Sequence, residues 1–347
     1  MTISIASFAA ADRDIWRAYV DAHPQSTLFH DLRWSDAVAA GYGYENRHLI
    51  ARRAGVVVGV LPLTFVDAPL LGRSLISAAF GVGGGALADD ADAAMLLAAR
   101  AHNLGREAAV NYVELRGGAA PDESFVGKTG VYATFEKELP ADVDAILSWL
   151  PRRRRAEVKK ALAFEESGEF AFRTSESVGD FYRIYARSSR NLGTPVMPKK
   201  FLTALKRNFG DEIEIGLIER EKKPAAALLS FWRRDRVMPY YVGADAQARR
   251  LRAFDFLYYD LMRRAVARGV RIFDFGRSKV GSTHYATKTY WGFEPSAVTH
   301  HVGLVRATSL PNVNPANPKF AAFVSLWRRT PLPLANALGP VLARNFA

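Results

Sequence analysis

The sequence predicts an α+β protein, with layers of the α/β type, built from two similar halves. One observation is that a strand pair, a helix, a glycine and a short strand occur in this order twice along the 347 residues. Another is that Gly105 and Gly269, which end the two helices, lie 164 residues apart. A period of this size indicates a duplicated domain, and the chain is too long for one ordinary core. We therefore expect two domains of one kind.

The first half contains the first copy of this order. Its predicted elements are helices over 12–22 and 32–41, strands over 56–65 and 75–80, a glycine-rich loop over 81–85, a helix over 90–104 and a strand over 111–115. In the third of these helices Ala and Leu recur at helical spacing, and Gly105 is a typical helix end. Residues 1–150 are therefore expected to form the first domain.

The second half repeats the order. Its predicted elements are a strand over 212–221, a hairpin of strands over 224–233 and 237–242, a helix over 253–268 and a strand over 271–275. The sequence IFDFGR at 272–277 echoes YVELRG at 112–117. We expect the second domain to cover 167–305 and a basic connecting helix to cover 151–166.

Residues 306–347 differ from both halves. A run rich in Asn and Pro over 312–318 is typical of a linker. Phe320, Phe323, Val324 and Trp327 then recur at helical spacing beside basic residues, as in an interfacial or docking helix. We expect a linker and an amphipathic tail that either contacts a membrane or packs on the domains.

Composition narrows the function classes. The net charge of +12 suits a nucleic acid, an anionic membrane surface or a phosphorylated substrate, and does not separate them. The absence of cysteine excludes disulfides, thiolate metal sites and a cysteine nucleophile. No His, Asp or Glu spacing indicates a metal site. Because no signal peptide or membrane-spanning run is present, we expect a cytoplasmic protein.

The candidate site follows the last short strand. A short apolar run breaks at Gly276, and the next 12 residues include Arg277, Lys279, Ser282 and Lys288. Strand ends that open into loops are where α/β folds hold their ligands. Cations grouped in this way favour a partner that carries phosphate or carboxylate. We therefore expect these four side chains to bind an anionic substrate.

Other side chains are candidates for chemistry. Asp274 interrupts the apolar strand and is either ion-paired or a proton acceptor in the cleft. His30 is a candidate base because imidazole titrates near neutral pH, although a lone histidine is more often a cap or a surface residue. Alternation along the predicted hairpin places either Tyr240 or Tyr241 in the cleft, and we choose Tyr241. Arg190 either reaches the cleft or belongs to a helix end.

These segments together resemble a known family. The runs GRSKVGSTHYATKTYWGFEP at 276–295 and LGTPVMPKKF at 192–201, with the YVELRG echo, are similar to the FemAB-like proteins among the tandem GNAT-fold acyltransferases. The branch most like this chain accompanies exosortase/PEP-CTERM exopolysaccharide loci. The resemblance covers roughly residues 10–305. It implies two GNAT-like (acyl-CoA N-acyltransferase-like) domains that face a shared cleft.

The resemblance also implies a reaction. Members transfer an acyl or aminoacyl group to an amine of a cell-envelope precursor, here an envelope or exopolysaccharide precursor. Acyl-CoA or aminoacyl-tRNA is the expected co-substrate, with no tightly bound cofactor. Tyr285 is the expected acid for the leaving group, since GNAT-type sites often use tyrosine there, and Trp34 matches a tryptophan of the family in the substrate cleft.

Two departures from the family pattern limit these expectations. Members that act on peptidoglycan commonly have a lysine one turn after the tryptophan, where this chain has Val38. Acetyl-CoA-binding members have a glycine-rich loop before the helix that matches 253–268, where this chain has AQARRLR. A muropeptide acceptor and ordinary acetyl-CoA binding in the second half are therefore not expected.

Partners and alternatives follow from these observations. We expect an anionic, phosphate-bearing envelope or glycan precursor and no DNA. The basic block over 152–160 is either a tRNA or anionic-lipid contact or a solvated helix, and the tail suggests a peripheral position at the inner membrane face. One alternative function is a long-chain acyl-CoA- or acyl-carrier-protein-dependent N-acyltransferase of lipid synthesis. Another is a non-catalytic GNAT-fold scaffold of exopolysaccharide machinery.

Overall fold

The computed structural model describes residues 2–119, 121–311 and 321–347. The strands are β1 Ile3–Ser7, β2 Glu45–Asn46, β3 Leu49–Arg53, β4 Val56–Leu61, β5 Thr64–Ala68, β6 Gly72–Ile76, β7 Leu87–Ala88, β8 Tyr112–Arg116, β9 Phe125–Glu138, β10 Ala171–Ser175, β11 Ile213–Arg220, β12 Lys223–Arg233, β13 Arg236–Ala244, β14 Ile272–Lys279 and β15 Ser296–Leu304. The helices are α1 Arg13–Ala22, α2 Leu32–Tyr42, α3 Ala91–Glu107, α4 Ile146–Trp149, α5 Arg152–Glu166, α6 Val178–Leu192, α7 Lys199–Phe209, α8 Ala246–Arg250, α9 Ala253–Ala267, α10 Thr283–Tyr290, α11 Ala321–Arg329 and α12 Leu332–Ala343.

Two sheets organise the chain. A small sheet has the order β1-β3-β4-β7, and a large sheet has the order β10-β11-β12-β13-β14-β9-β15-β8-β6-β5-β2. Strands β10 to β14 come from the half of the chain after α5, and β8, β6, β5 and β2 come from the half before it. The large sheet is therefore continuous across the two halves, which are called the first and second half below.

The two halves exchange their final strands. Strand β9 of the first half pairs antiparallel with β14, and β15 of the second half pairs antiparallel with β8. Because β9 and β15 also pair with each other, the four central strands alternate between the halves. Pulling the halves apart would break these backbone ladders, so the groove between them has rigid walls.

A parallel strand pair occurs in each half, and the one in the second half opens. There β13 and β14 pair only at Arg236 with Ile272 and at Val237 with Phe273, and among the described residues their ladder does not continue, so these two strands diverge. In the first half β6 and β8 pair from Ser74 with Tyr112 to Ile76 with Glu114, and the next residue, Ser77, stays hydrogen-bonded to β8. Ends of parallel strands that diverge leave space for a ligand.

Helices also fix the two halves against each other. Helix α2 of the first half packs on α7 of the second, and a Cβ on Gly41 would lie only 2.4 Å from Cβ of Phe201. An ion-pair network crosses the same contact, where Arg233 donates to Asp31 at 2.7 Å and Arg33 donates to Glu212 at 2.6 Å. Only glycine permits so close an approach of two helices, which explains this residue in α2.

Most predicted elements of the repeat are present, with four corrections. Helix α3 continues through Gly105 to Glu107, and β14 continues past its predicted end at 275 to Lys279. The predicted strand over 56–65 is two strands, because β4 joins the small sheet and β5 the large one. The predicted strand over 75–80 ends at Ile76, where the chain turns through Ala78 and Phe80, both with positive φ. The Ser77 N–H bonds to the Glu114 carbonyl at 2.8 Å and holds this turn on β8.

The tail is docked on both halves, since α11 contacts the second half and the Tyr44 hydroxyl of the first half donates to the Arg344 carbonyl at 2.9 Å. Trp327 of α11 is 5% exposed and donates from Nε1 to the Thr194 carbonyl at 3.2 Å. The predicted linker over 312–318 and Phe320 lie outside the described residues. Within the described ranges no helix combines the length and the apolar character needed to cross a membrane.

Candidate active site between the two halves

A cavity of about 690 Å³ lies between the two halves. Its walls come from strands β6 and β8, from the diverging strand pair β13–β14, from the segment before α7 and from the tail. The strand exchange thus brings residues far apart in sequence to one site.

Positive charge dominates the cavity. The cationic side chains that line it are Arg116, Lys128, Arg277, Lys279, Lys288 and Arg344. Among the described lining residues Glu114 has the only acidic side chain. Six basic side chains against one acidic side chain create a positive potential, which a phosphate or carboxylate group would neutralise. The predicted anion-binding residues Arg277, Lys279, Ser282 and Lys288 all line this cavity, and their role in binding stays a prediction.

A bulge in β14 directs Arg277 into the cavity. Asp274 pairs with Glu136 of β9 and Arg277 pairs with Thr134, so two residues of β14 oppose one of β9. Gly276 within the bulge has φ 65°, a conformation that favours glycine. The Asp274 carboxylate accepts the Gly276 N–H at 2.7 Å and fixes this turn.

Lys288 holds the other side of the bulge. Its ammonium donates to the carbonyls of Gly276 and Arg277, both at 3.1 Å. Two of its three donors therefore serve the backbone, and the expected role of Lys288 in binding an anion stays a prediction. Burial lowers the pKa of Lys288 to about 8, although the nearby Asp274 carboxylate raises it.

Burial also raises the pKa of Asp274 to about 6. The structure shows Asp274 as a buried clamp below the cavity rather than as a lining residue.

A chain of hydrogen bonds joins Arg277 to the first half. Its Nη1 donates to Nε2 of His300 at 3.1 Å, and Nδ1 of His300 donates to Glu114 at 3.1 Å. Glu114 also accepts from Nε of Arg116 at 2.9 Å. An arginine can only donate, so His300 is a neutral ring, and burial lowers its pKa accordingly. With both nitrogens engaged, His300 positions Arg277 and is not a base.

Arg277 retains donors for a ligand. Its guanidinium stacks on Tyr132, 4.2 Å from the ring centroid, and its remaining N–H groups have no protein acceptor among the described residues. Burial, together with the neighbouring Arg116, lowers the pKa of Arg277. A desolvated arginine with unused donors that face a cavity is suited to bidentate binding of phosphate or carboxylate.

A second bulge brings both hairpin tyrosines to the cavity. Leu229 pairs with Tyr241 and Ser230 with Pro239, so Tyr240 is an extra residue in β13. Simple alternation predicted one tyrosine in the cleft, whereas both line it. The Tyr241 hydroxyl is buried and has no hydrogen-bond partner among the described residues. Burial raises its pKa well above 10.0, so the hydroxyl stays protonated and available as a donor.

Helix α10 gives Ser282 and Tyr285 structural contacts. The Ser282 hydroxyl caps the helix, accepting the Tyr285 N–H at 3.2 Å and donating to the Lys279 carbonyl at 2.7 Å. The Tyr285 ring packs edge-on against Phe135, with 5.1 Å between centroids, and does not line the cavity. This corrects the expectation of Tyr285 as the leaving-group acid. His284, one residue earlier, is exposed and does line the cavity.

His30 and Trp34 are core residues. The His30 Nδ1 accepts the Thr27 N–H at 3.0 Å and Nε2 donates to the Gly85 carbonyl at 3.0 Å, so the neutral ring holds the glycine loop. Burial lowers the pKa of His30 to about 4. Trp34 is fully buried and donates to the Ala79 carbonyl at 3.0 Å. Neither lines the cavity, which corrects the expected roles as base and substrate contact.

Arg190 binds the tail instead of the cleft. Its Nη1 donates to the Arg328 carbonyl at 2.9 Å, and it does not line the cavity. Of the basic block in α5, Arg154 pairs with Asp255, and Arg155 donates to the Ser148 carbonyl at 2.6 Å. These two residues are therefore engaged within the protein, and the choice between a tRNA or lipid contact and a solvated helix for the rest of the block stays open.

The segment before α9 is not a phosphate loop. Asp245 caps the short helix α8 by accepting the N–H groups of Gln247 and Ala248, both at 2.9 Å. A carboxylate thus takes the amides that would otherwise face an anion. This geometry fits the missing glycines and leaves the cavity as the better place for an anionic group.

Several cavity residues were missed from the sequence. Glu114, Arg116, Tyr132 and His300 come from β8, β9 and β15, and the strand exchange brings them together. The echo between YVELRG and IFDFGR was a usable signal, since it placed an acid and an arginine at similar positions in both halves. Nothing local in the sequence indicated that β15 would insert beside β8.

Comparisons with known proteins agree with this architecture. The model of the acetyltransferase (GNAT) domain family matches residues 152–287. The chain contains a GNAT acetyltransferase domain. A comparison with curated proteins finds no match. The domain match supports an acyltransferase.

Solved structures resemble nearly the whole chain. The crystal structure of FemX has a TM-score of 0.61 at 13% identity and covers 87% of this chain and 98% of that one. A tandem GNAT protein from the clavulanic acid biosynthesis pathway has a TM-score of 0.58 at 14% identity and covers 89% and 100%. The C-terminal domain of a candidate lysylphosphatidylglycerol synthetase from Agrobacterium fabrum has a TM-score of 0.53 at 12% identity and covers 85% and 92%. These likenesses show a tandem GNAT fold.

Proposed function

We propose that this protein is an N-acyltransferase that transfers an acyl or aminoacyl group to an amine of an anionic cell-envelope or exopolysaccharide precursor. The observation that carries this proposal is the cavity between the two halves, where Arg277 and Lys279 present cationic groups beside the diverging strands β13 and β14. The GNAT domain match supplies the reaction class, and the charge of the cavity supplies the class of substrate.

The open edge of β13 is the proposed binding surface for the donor. Beyond Val237 the described residues provide no strand partner on the β14 side, so backbone groups of β13 remain available there. An extended ligand with amide groups can bind such an edge as an added strand. Acyl-CoA has an arm of this kind, and aminoacyl-tRNA has a terminal ester beside phosphates, so both are candidate donors.

The reaction we propose is a direct attack without a covalent intermediate on the protein. The nitrogen of the acceptor amine forms a bond to the acyl carbon, and the bond from that carbon to the donor's sulfur or oxygen breaks. The amine proton passes to His284, which lines the cavity. Desolvation by the cavity walls and the nearby Lys288 ammonium lower the pKa of His284, so its ring is neutral near pH 7. The Tyr241 hydroxyl donates a hydrogen bond to the leaving sulfur or oxygen, in place of the expected Tyr285, and the leaving group takes up the proton that His284 received from the amine.

Arg277 and Lys279 are proposed to bind the anionic group and to stabilise the charge that develops during transfer. In a water-poor cavity such preorganised cations have a large effect on the rate. The Arg277–His300–Glu114 chain fixes the guanidinium before the substrate arrives, which reduces the reorganisation needed during the reaction. Lys288 and Asp274 contribute through the bulge that places Arg277.

The biological setting is also part of the proposal. The likeness to FemX in fold supports an envelope precursor as acceptor, while Val38 argues against a muropeptide. An exopolysaccharide precursor with phosphate groups fits the cavity charge, and the protein would act peripherally at the inner membrane face. The exosortase-associated branch of FemAB-like proteins remains our proposed relationship.

A specific observation favours a second candidate. Apart from its cations the cavity is lined mainly by apolar side chains, among them Phe80, Met197, Phe323 and Val324. A long acyl chain on CoA or on acyl carrier protein would bury its methylenes against them. An N-acyltransferase of this kind would make an amide-linked lipid.

The test is a mass-spectrometric comparison of envelope glycans and lipids from wild-type and deletion strains. The deletion strain should lack an acyl or aminoacyl mass that the wild-type gene restores. Complementation with Arg277→Ala should not restore it. The matched control is Arg271→Ala, which changes an exposed arginine that pairs with Glu138 outside the cavity.

The outcomes separate the candidates. A missing aminoacyl mass supports an aminoacyl-tRNA donor, and a missing long-chain acyl mass supports the second candidate. Identical glycans and lipids in both strains, with partner binding retained by Arg277→Ala, would contradict enzymatic function and support a scaffold.

A further inference from the structure

Helix α12 buries its small residues and exposes its large apolar ones. The small residues that it buries are Ala335, Gly339 and Ala343. A Cβ on Gly339 would lie 2.9 Å from Cγ1 of Val196, so this side is packed closely. The large residues that it exposes are Leu334, Leu338 and Val341, at 49%, 45% and 55%. Helices on a water-facing surface normally expose polar residues, so this side of α12 is suited to an apolar environment.

Neighbouring segments extend this apolar surface. Leu326 of α11 is 70% exposed, and Leu70 at the tip of the β5–β6 hairpin is 76% exposed. The two segments adjoin α12, because α11 precedes it by two residues and the Leu70 N–H donates to Oδ1 of Asn345 at 2.9 Å. We call these five exposed side chains the apolar face. They are Leu70, Leu326, Leu334, Leu338 and Val341.

The tail, which carries four of the five residues of the apolar face, is basic. Near the fifth residue, Leu70, the exposed Asp67 is paired with Arg73 at 3.6 Å. From Pro295 to Ala347 the chain has five basic residues and no Asp or Glu. Arg328 and Arg329, at the end of α11, are both exposed. Basic residues beside exposed aliphatic side chains are the combination that binds anionic lipid, because the headgroups attract the cations while the acyl region takes up the leucines.

The apolar face borders the entrance of the cavity. Phe323 and Val324 of α11, Leu71 of the hairpin tip and Phe346 after α12 all line the cavity. Each of these residues lies within a few positions of an exposed member of the face. A ligand entering from that side would pass along apolar side chains before it reached Arg277.

We propose that the apolar face docks on a bilayer that contains anionic phospholipid, and that this places the cavity entrance at the lipid surface to receive a lipid-borne reactant. The delivery of a reactant rests on the proposed function, whereas the docking does not. A protein partner fits less well, because the cores of protein interfaces are rich in aromatic residues and the exposed members of this face are all aliphatic.

The test is co-sedimentation of the full chain with lipid vesicles and no substrate. Vesicles of phosphatidylglycerol and phosphatidylethanolamine are compared with vesicles of phosphatidylcholine alone. The variant L334S/L338S/V341S should bind the anionic vesicles about tenfold more weakly or worse, since each change removes aliphatic groups that enter the bilayer. The matched control is I15S/V56S/L96S, whose side chains are 50%, 67% and 41% exposed on other surfaces.

Each outcome decides the inference. Binding of the wild type and the control to anionic vesicles, with loss in the α12 variant, supports it. Equal binding by all three proteins, or no binding by the wild type, overturns it, as does a wild-type dimer in solution that the α12 changes dissociate. Hydrogen exchange of the unmodified chain provides a second measurement, in which residues 326–341 should become protected on anionic vesicles.

The proposed function is tested separately. Arg277→Ala should bind vesicles like the wild type, because Arg277 lies inside the cavity. Vesicle binding without any missing acyl mass in the deletion strain would leave the docking intact and contradict the acyltransferase.

Discussion

The two halves contain the same short motif with different environments. In β8 of the first half, Glu114 and Arg116 form an ion pair at 2.9 Å, and both are buried. In β14 of the second half, Asp274 accepts a backbone N–H and Arg277 donates to His300. The Glu114–Arg116 pair is bonded within the protein, and Arg116 also donates to the carbonyls of Gly81 and Ala347 at 3.0 and 2.8 Å. Asp274 and Arg277 do not pair with each other, because the bulge at Gly276 separates the acid from the arginine.

This difference indicates how a duplicated fold divides its tasks. The Arg116 pair stabilises the boundary between the halves, while Arg277 keeps donors for a ligand. The pKa values of the two acids, Glu114 and Asp274, also shift in opposite directions. Arg116 and the His300 N–H lower the pKa of Glu114 well below its usual range despite burial. Burial raises the pKa of Asp274 to about 6, since no cation pairs with it closely among the described residues.

Arg116→Ala should have the largest effect on stability. The change leaves Glu114 buried with only His300 as a partner, and breaking a buried pair in this way costs about 3–5 kcal/mol. Urea unfolding at pH 7 measures the loss. A variant as stable as the wild type would show that the pair at the boundary is not structural.

Arg277→Ala should mainly affect catalysis. Loss of a preorganised cation at the site of developing charge lowers the rate about 100-fold, once a donor and an acceptor are identified by mass spectrometry. Stability should change by less than in Arg116→Ala, because no buried carboxylate is left unpaired. Steady-state kinetics of Arg116→Ala and Arg277→Ala, with Arg271→Ala as control, show whether the arginines of the two halves have different roles.

The pH dependence of stability should have opposite signs at the two acids. The pKa of Asp274 is raised, so its contribution is full below pH 3.8 and is lost as the pH rises through about 6. The pKa of Glu114 is lowered, so its contribution is present above pH 4.5 and is lost on acidification. Unfolding free energies of the wild type, Asp274→Asn and Glu114→Gln between about pH 2 and pH 7, a range that covers both windows, check this. Parallel pH profiles of the two variants would contradict it.

Gly276→Ala should have the smallest effect on stability. An alanine at φ 65° costs about 1 kcal/mol, and a Cβ there would meet no atom within 4 Å. Because the bulge directs Arg277, the variant should lose activity out of proportion to this cost. Gly269→Ala is the matched control, with positive φ and open space but no contact with the cavity. Equal activity of the two variants would argue against a role for the bulge.

The sequence was sufficient for the repeat, for helix α5 and for the cationic residues of the last short strand. Each of these depends on local patterns, such as apolar periodicity and the position of Arg277 and Lys279 after an apolar run, although β14 continues through both residues. The cavity also needs Arg116 and His300, which reach it through strand exchange between distant segments. No local pattern encodes such pairing.

The roles of single residues were predicted less well than the positions of the elements that contain them. His30 and Trp34 have reactive or large side chains, but both satisfy their hydrogen bonds within the core. Tyr285 lies in the predicted segment, and the helical turn of α10 directs it to Phe135 instead of the cavity. Side-chain direction depends on caps and bulges, such as Ser282 and Gly276, that periodicity does not define.

Binding of inorganic pyrophosphate tests the central claim, that the Arg277 side of the cavity holds an anionic reactant. Calorimetric titration at low salt would compare the wild type with Arg277→Gln, Lys279→Gln and the control Arg271→Gln. We predict that the wild type and the control bind equally, and that the two cavity variants bind about tenfold more weakly or worse. Equal affinity of all four proteins would contradict the claim.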